Sequence, residues 1–184
     1  MTDIVLSELQ QQVLFYHGRK FDFRVDQLRL PHGAVGEYAY IRHPGAAIAV
    51  PVTAAGEFVL VRQYRFPLQR YVLEFPAGTL EKDEAPAQTM ARELEEETGY
   101  HAHRWAALGS FYICPGYSDE VIHAYLAEDL ELLAQPPAQD ADEEIEVVLL
   151  DRQALQQMIV SQSASQNLDA KSITAFYLAV SRLA

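Results

Sequence analysis

Residues 78–100 read GTLEKDEAPAQTMARELEEETGY, and the second half of this stretch is a helix by its local signals. Pro86 suits the first helical turn, where its missing N–H is harmless, and Gly99 suits the position just past the end. Between them, residues 87–98 are mostly good helix formers. Glu93, Glu96 and Glu97 stand at i, i+3 and i+4, so three carboxylates share one helix face, while Glu95 points elsewhere. Like charges on adjacent turns repel, which is unfavourable in a helix that serves structure alone. The repulsion becomes useful if a hard divalent cation sits among the oxygens, because Mg²⁺ binds through a few carboxylates, waters and phosphate oxygens.

Outward from this helix the chain alternates short strands with turns. Residues 15–31 read as strands of a small N-terminal sheet with a turn at His17-Gly18, and 38–42 as a further strand. Residues 46–52 and 58–64 form a hairpin pattern around Ala54-Ala55-Gly56, and 71–75 is a strand stopped by Pro76-Ala77-Gly78. Beyond the helix, strands are predicted at 106–111, 120–127 and 144–150, helices at 151–161 and 169–183, and an exposed loop at 135–142. The class is α/β, a sandwich with a mixed sheet plus a small N-terminal antiparallel sheet. The hairpins speak against a regular βαβ repeat, and neither a dinucleotide nor a P-loop fingerprint is present.

Composition narrows the partners. A formal net charge of −12 argues against nucleic acid or an anionic membrane, and it requires cations or local arginines if the ligand is a phosphate compound. No apolar run reaches the roughly 18 residues of a membrane span, and the N-terminus shows no secretory signal. Cys114 is the single cysteine, which excludes an internal disulfide and suits a reducing cytoplasm.

An isolated run of glutamates would read as a solvated acidic face. Here its surroundings decide otherwise. Gly78, five residues, Glu84, seven residues, Arg92-Glu93-Leu94, one residue, Glu96-Glu97, one residue, then Gly99-Tyr100 resembles the Nudix box of the Nudix hydrolase superfamily. Seven charged or glycine positions match, and by chance alone such a match is on the order of one in a million. Tyr100 departs mildly, standing where an aliphatic residue is usual.

The resemblance implies a Nudix α/β/α sandwich over residues 46–184, with the box at 78–100, and an N-terminal β segment over 1–45 that serves dimerisation and substrate binding. It implies two or three Mg²⁺ ions, with Mn²⁺ as a substitute, held by Glu93, Glu96, Glu97 and the backbone carbonyl of Ala77. Glu84 and Arg92 would pair and brace the helix. A glutamate of the acidic loop, Glu143, would add a ligand or act as the base, so the catalytic set is Glu96, Glu97 and Glu143.

Phe75-Pro76-Ala77-Gly78, Gln63-Tyr64-Arg65 and Pro115, 16 residues past Gly99, are similar to the ADP-ribose pyrophosphatase branch. That similarity implies a homodimeric enzyme that splits ADP-ribose to AMP and ribose 5-phosphate. Arg65 offers a planar fork for the diphosphate or a ribosyl hydroxyl, Arg42 is a second candidate, and the Pro115-Gly116 turn would shape the pocket. The alternatives are another substrate, such as GDP-mannose, ADP-glucose or a dinucleoside polyphosphate, and a non-catalytic ADP-ribose sensor.

Overall fold

The computed structural model describes residues 6–138, 144–161 and 168–183. The chain divides into two compact units. One comprises Met1–Gly45 with Tyr112–Val121, and the other Ala46–Phe111 with Ile122–Ala184.

The N-terminal unit carries β1 (Glu8–His17), β2 (Asp22–Arg29) and β3 (Val35–Arg42), antiparallel in that order. The sheet begins at Glu8 rather than at Phe15, where the alternation first becomes legible. Gln10-Gln11-Gln12 hides the period of two, and the register with β2 shifts between Leu9 and Gln11 and again between Gln12 and Leu14. Every residue of β1 is exposed, Leu9, Val13, Leu14, Phe15 and Tyr16 among them. Asp26 on the central strand is buried and accepts a 2.6 Å hydrogen bond from the Tyr40 hydroxyl.

The larger unit is the expected α/β/α sandwich with a mixed sheet. Its strands are β4 (Ala46–Pro51), β5 (Phe58–Arg65), β6 (Arg70–Glu74), β7 (Ala77–Thr79), the bulk of β8 (Tyr100–Tyr112) and β9 (Val121–Leu132), and β10 (Ile145–Leu150). Its helices are α1 (Pro86–Thr98), α2 (Arg152–Val160) and α3 (Ala170–Val180). One sheet runs β7-β4-β9-β8 and is mixed, because β4 pairs with β9 in parallel; the other is antiparallel, β10-β5-β6.

The hairpin pattern over 46–64 is therefore only local. Thr53 and Glu57 close a turn and Val52 bridges Phe58, after which β4 and β5 part into different sheets. Both edges of each strand are already taken: β4 lies between β7 and β9, and β5 between β10 and β6. The strand before Pro76-Ala77-Gly78 ends at Glu74, as expected, and the run also starts the next one, since Ala77–Thr79 pairs with β4.

All six residues of β4 are buried, so it lies inside the sandwich with both faces covered. Met90 and Leu94 of α1 pack on Ala47 and Ala49 of β4, with Ala102 and Ala127 beside them. The small alanines let the helix axis lie close to the sheet. In the other layer the Phe58 ring meets Phe75 and, from α3, Phe176 edge-on, with centroids 6.1 and 5.4 Å away. Among the described residues no helix is long and apolar enough to cross a membrane.

Candidate active site

Helix α1 starts without a side-chain cap. Ala85 precedes it, Pro86 occupies its first turn, and the Gln88 side chain reaches back to accept the Ala85 N–H at 3.1 Å. It ends at Gly99, whose left-handed φ of 72° lets its N–H bond the Glu95 carbonyl at 2.9 Å. With both ends fixed and Met90 and Leu94 packed beside β4, Glu93 and Glu97 are brought to β7.

The segment leading into the box lies beside these carboxylates. Glu97, only 5% exposed, accepts the Ala77 N–H at 3.0 Å. Glu93 folds onto Gly78 so closely that a Cβ there would overlap its carboxylate. Gly78 is thus a glycine because a carboxylate occupies the space of its side chain. Arg92 stands between the acids. Its Nη1 is 2.9 Å from both Glu93 Oε1 and Glu96 Oε2, and Nη2 is 3.3 Å from Glu84 Oε2.

Burial works against the Arg92 charge. The hydrogen bond to Glu84 and the fields of Glu93 and Glu96 outweigh it and hold its pKa above the ordinary value. The Arg92 hydrogen bond in turn lowers the Glu84 carboxyl, helped by the Thr89 hydroxyl at 2.8 Å. The expected Glu84–Arg92 brace is therefore present, and it extends to Glu93 and Glu96.

Among the described residues no three His, Cys, Asp or Glu side chains are gathered into a metal cage. The guanidinium of Arg92 lies among the acids, and Glu97 is turned onto the Ala77 N–H. The donor chemistry nonetheless fits a hard divalent cation, since the side chains and the Ala77 carbonyl all offer oxygen.

Arg65 lies in the same unit, at the end of β5. Its Nε and Nη2 each donate at 2.7 Å to the two oxygens of Glu74, a bidentate pair. That hydrogen bond raises the Arg65 pKa, opposed by burial and aided by the charges of Glu74, Glu97 and Asp169. Glu74 is buried, which alone would raise its carboxyl. The hydrogen bond from Arg65 and the charge of Lys171 outweigh burial and hold it at about 2, against an ordinary 4.5. Lys171, largely buried on α3, also pairs with Asp169. Sequence reading missed Glu74 and Lys171. The available signals were a glutamate directly after Tyr71-Val72-Leu73 and before Phe75, and a single cation in α3.

Arg42, Pro115 and Gly116 belong to the N-terminal unit, where they come together. Pro115 and Gly116 form a turn closed by the Ser118 N–H on the Cys114 carbonyl at 2.8 Å. The turn docks on the end of β3, with the Ile41 N–H bonded to Tyr117 O at 2.8 Å. Arg42 Nη1 donates to Asp119 at 2.6 Å, and the same carboxylate accepts the His43 N–H at 2.8 Å. Glu143 lies outside the described residues.

Comparison with known proteins gives a consistent result. The NUDIX domain pattern matches residues 42–170. The chain is 42% identical over 133 residues to the ADP-ribose pyrophosphatase of Bacillus subtilis (strain 168), covering 72% of each chain. It is 41% identical over 135 residues to the methanol dehydrogenase activator of Bacillus methanolicus, covering 73% of each. Among solved structures it resembles the crystal structure of an ADP compounds hydrolase, with a TM-score of 0.81 at 19% identity over all of this chain and 97% of that one.

Proposed function

The chain belongs to the NUDIX family and is a pyrophosphohydrolase, and from that premise we propose that it hydrolyses ADP-ribose to AMP and ribose 5-phosphate, using Mg²⁺. The observation that carries the proposal is the meeting of the box helix with the segment before it. Glu97 is bonded to Ala77 N–H and Glu93 rests on Gly78, so the proposed ligands from helix and strand lie together.

In this reading Glu93, Glu96, Glu97 and the Ala77 carbonyl hold two or three cations, with Mn²⁺ able to replace Mg²⁺. When bound, the cations would offset the charge that develops on the phosphate oxygens. Arg92 holds the carboxylates close, and its links to Glu84, Glu93 and Glu96 stop the helix face from splaying. Arg65 meets the diphosphate, and Arg42 with the Pro115-Gly116 turn recognises the distal part of the substrate. Glu143 orients a water and takes its proton. The water oxygen bonds to one phosphorus, the bridging P–O bond breaks, and the departing phosphate keeps the electron pair.

The enzyme works as a homodimer through the N-terminal sheet, a reading supported by the apolar residues exposed along β1, which lies at the sheet's edge. Its single cysteine fits a cytoplasmic setting. The net charge of −12 fits a small-molecule substrate rather than nucleic acid or an anionic membrane.

The test is a panel of ADP-ribose, GDP-mannose, ADP-glucose and dinucleoside polyphosphates, incubated with Mg²⁺ and with chelator, and read by released mononucleotide. ADP-ribose is the best substrate, chelator stops the reaction, and Glu97→Gln removes most of the turnover while the circular dichroism spectrum is kept. Near-normal turnover by Glu97→Gln would refute the metal assignment.

A further inference from the structure

Five consecutive residues, Glu74 to Gly78, cross from the antiparallel sheet to the mixed one, and each is anchored differently. Glu74 takes two hydrogen bonds from Arg65 and one from Lys171. Phe75 donates its N–H to the Ser172 hydroxyl at 2.9 Å. The Pro76 carbonyl accepts from Ala49 N–H at 3.0 Å. Ala77 donates to Glu97, and Gly78 receives Glu93. The first turn of α3 thus fixes one end of a strap whose other end carries the proposed cation ligands.

Glu74 does not use up Arg65. Its oxygens engage the edge formed by Nε and Nη2, and a guanidinium has five N–H donors in a rigid plane. Both N–H groups of Nη1 and one of Nη2 lie outside that pair, arranged as a second fork of the kind that suits a phosphate. Lys171 bonds Glu74 and Asp169 together, so two cations face two carboxylates and Glu74 is held from a second side.

We propose that Glu74 is a positioning residue for substrate binding: it fixes the plane of Arg65 so that the outer fork meets the diphosphate, with Lys171 as its counter-charge. This rests on the proposed reading that Arg65 contacts the diphosphate of ADP-ribose. The assignment makes no use of the carboxylates of α1, so binding and turnover should separate.

The experiment is a double-mutant cycle on Glu74→Gln and Arg65→Ala, with KM and kcat for ADP-ribose measured in Mg²⁺. Glu74→Gln keeps the shape but cannot accept both bonds. It should raise KM about tenfold, with kcat falling less, and change KM less than about twofold when Arg65 is already alanine. A merely structural role would give the same KM change in both backgrounds, or a fall in kcat at constant KM, and either result overturns the inference. Should Glu74→Gln lose its cooperative unfolding transition, Lys171→Met goes through the same cycle, with the same non-additive rise in KM expected and an additive one fatal. If the unaltered enzyme does not cleave ADP-ribose, the functional reading falls and takes this inference with it. If it does cleave ADP-ribose and Arg65→Ala raises KM, an additive cycle removes the role of Glu74 alone.

Discussion

Gly78 shows how much can turn on one missing atom. The Glu93 carboxylate lies where a Cβ would be, and Glu97 is bonded to the residue just before. Gly78→Ala therefore displaces a proposed ligand without touching the hydrophobic core. The expected outcome is a loss of turnover of about a hundredfold, the scale of an ångström-sized misplacement in a catalytic site. Its urea midpoint should stay close to that of the unaltered protein; a large fall in stability with activity retained would contradict the assignment. The need for glycine here was legible in the spacing of the box, but its cause was not, because the clash comes from a side chain 15 positions away in the sequence.

Helix α1 is the element that local rules specify most completely. Proline at its start, glycine at its end and an apolar pair facing β4 give it termini, length and orientation. The end is the part most open to test. Gly99 has φ of 72°, a region that costs an L-residue about 1–2 kcal/mol. Gly99→Ala should lower unfolding stability by about that amount in a urea titration, with Mg²⁺-dependent turnover reduced less than by Gly78→Ala. The strands were less legible. The period of two located most of them, yet β1 was obscured by its glutamines, and β4 and β5 looked like partners when their edges belong to other strands.

Across the molecule as a whole, the exposed apolar residues of β1 form the surface most open to test. An edge strand with every residue exposed is a template for pairing with another chain. The proposed homodimer is expected to sediment as a dimer at micromolar concentration, and Val13→Lys combined with Phe15→Lys should shift it to monomer and reduce ADP-ribose turnover. An unaltered protein that sediments as a monomer with full activity would dispose of the dimer. The excess of negative charge belongs to this scale too. Arg65, Arg92 and Lys171 each sit against carboxylates, so the positive charge near the proposed site is local and built in.

The box helix and the face its carboxylates share were written in the amino-acid sequence, because spacing along a helix is fixed by 3.6 residues per turn and needs no information from elsewhere in the chain, while the class of chemistry came from the resemblance of the whole box to the Nudix pattern. Packing in three dimensions was needed to part β4 and β5 into separate sheets, to rest Glu93 on Gly78, and to hold Glu74 by Lys171, 97 residues away. Contacts of that separation arise from how layers pack and which strand edges remain open, and no local period records them.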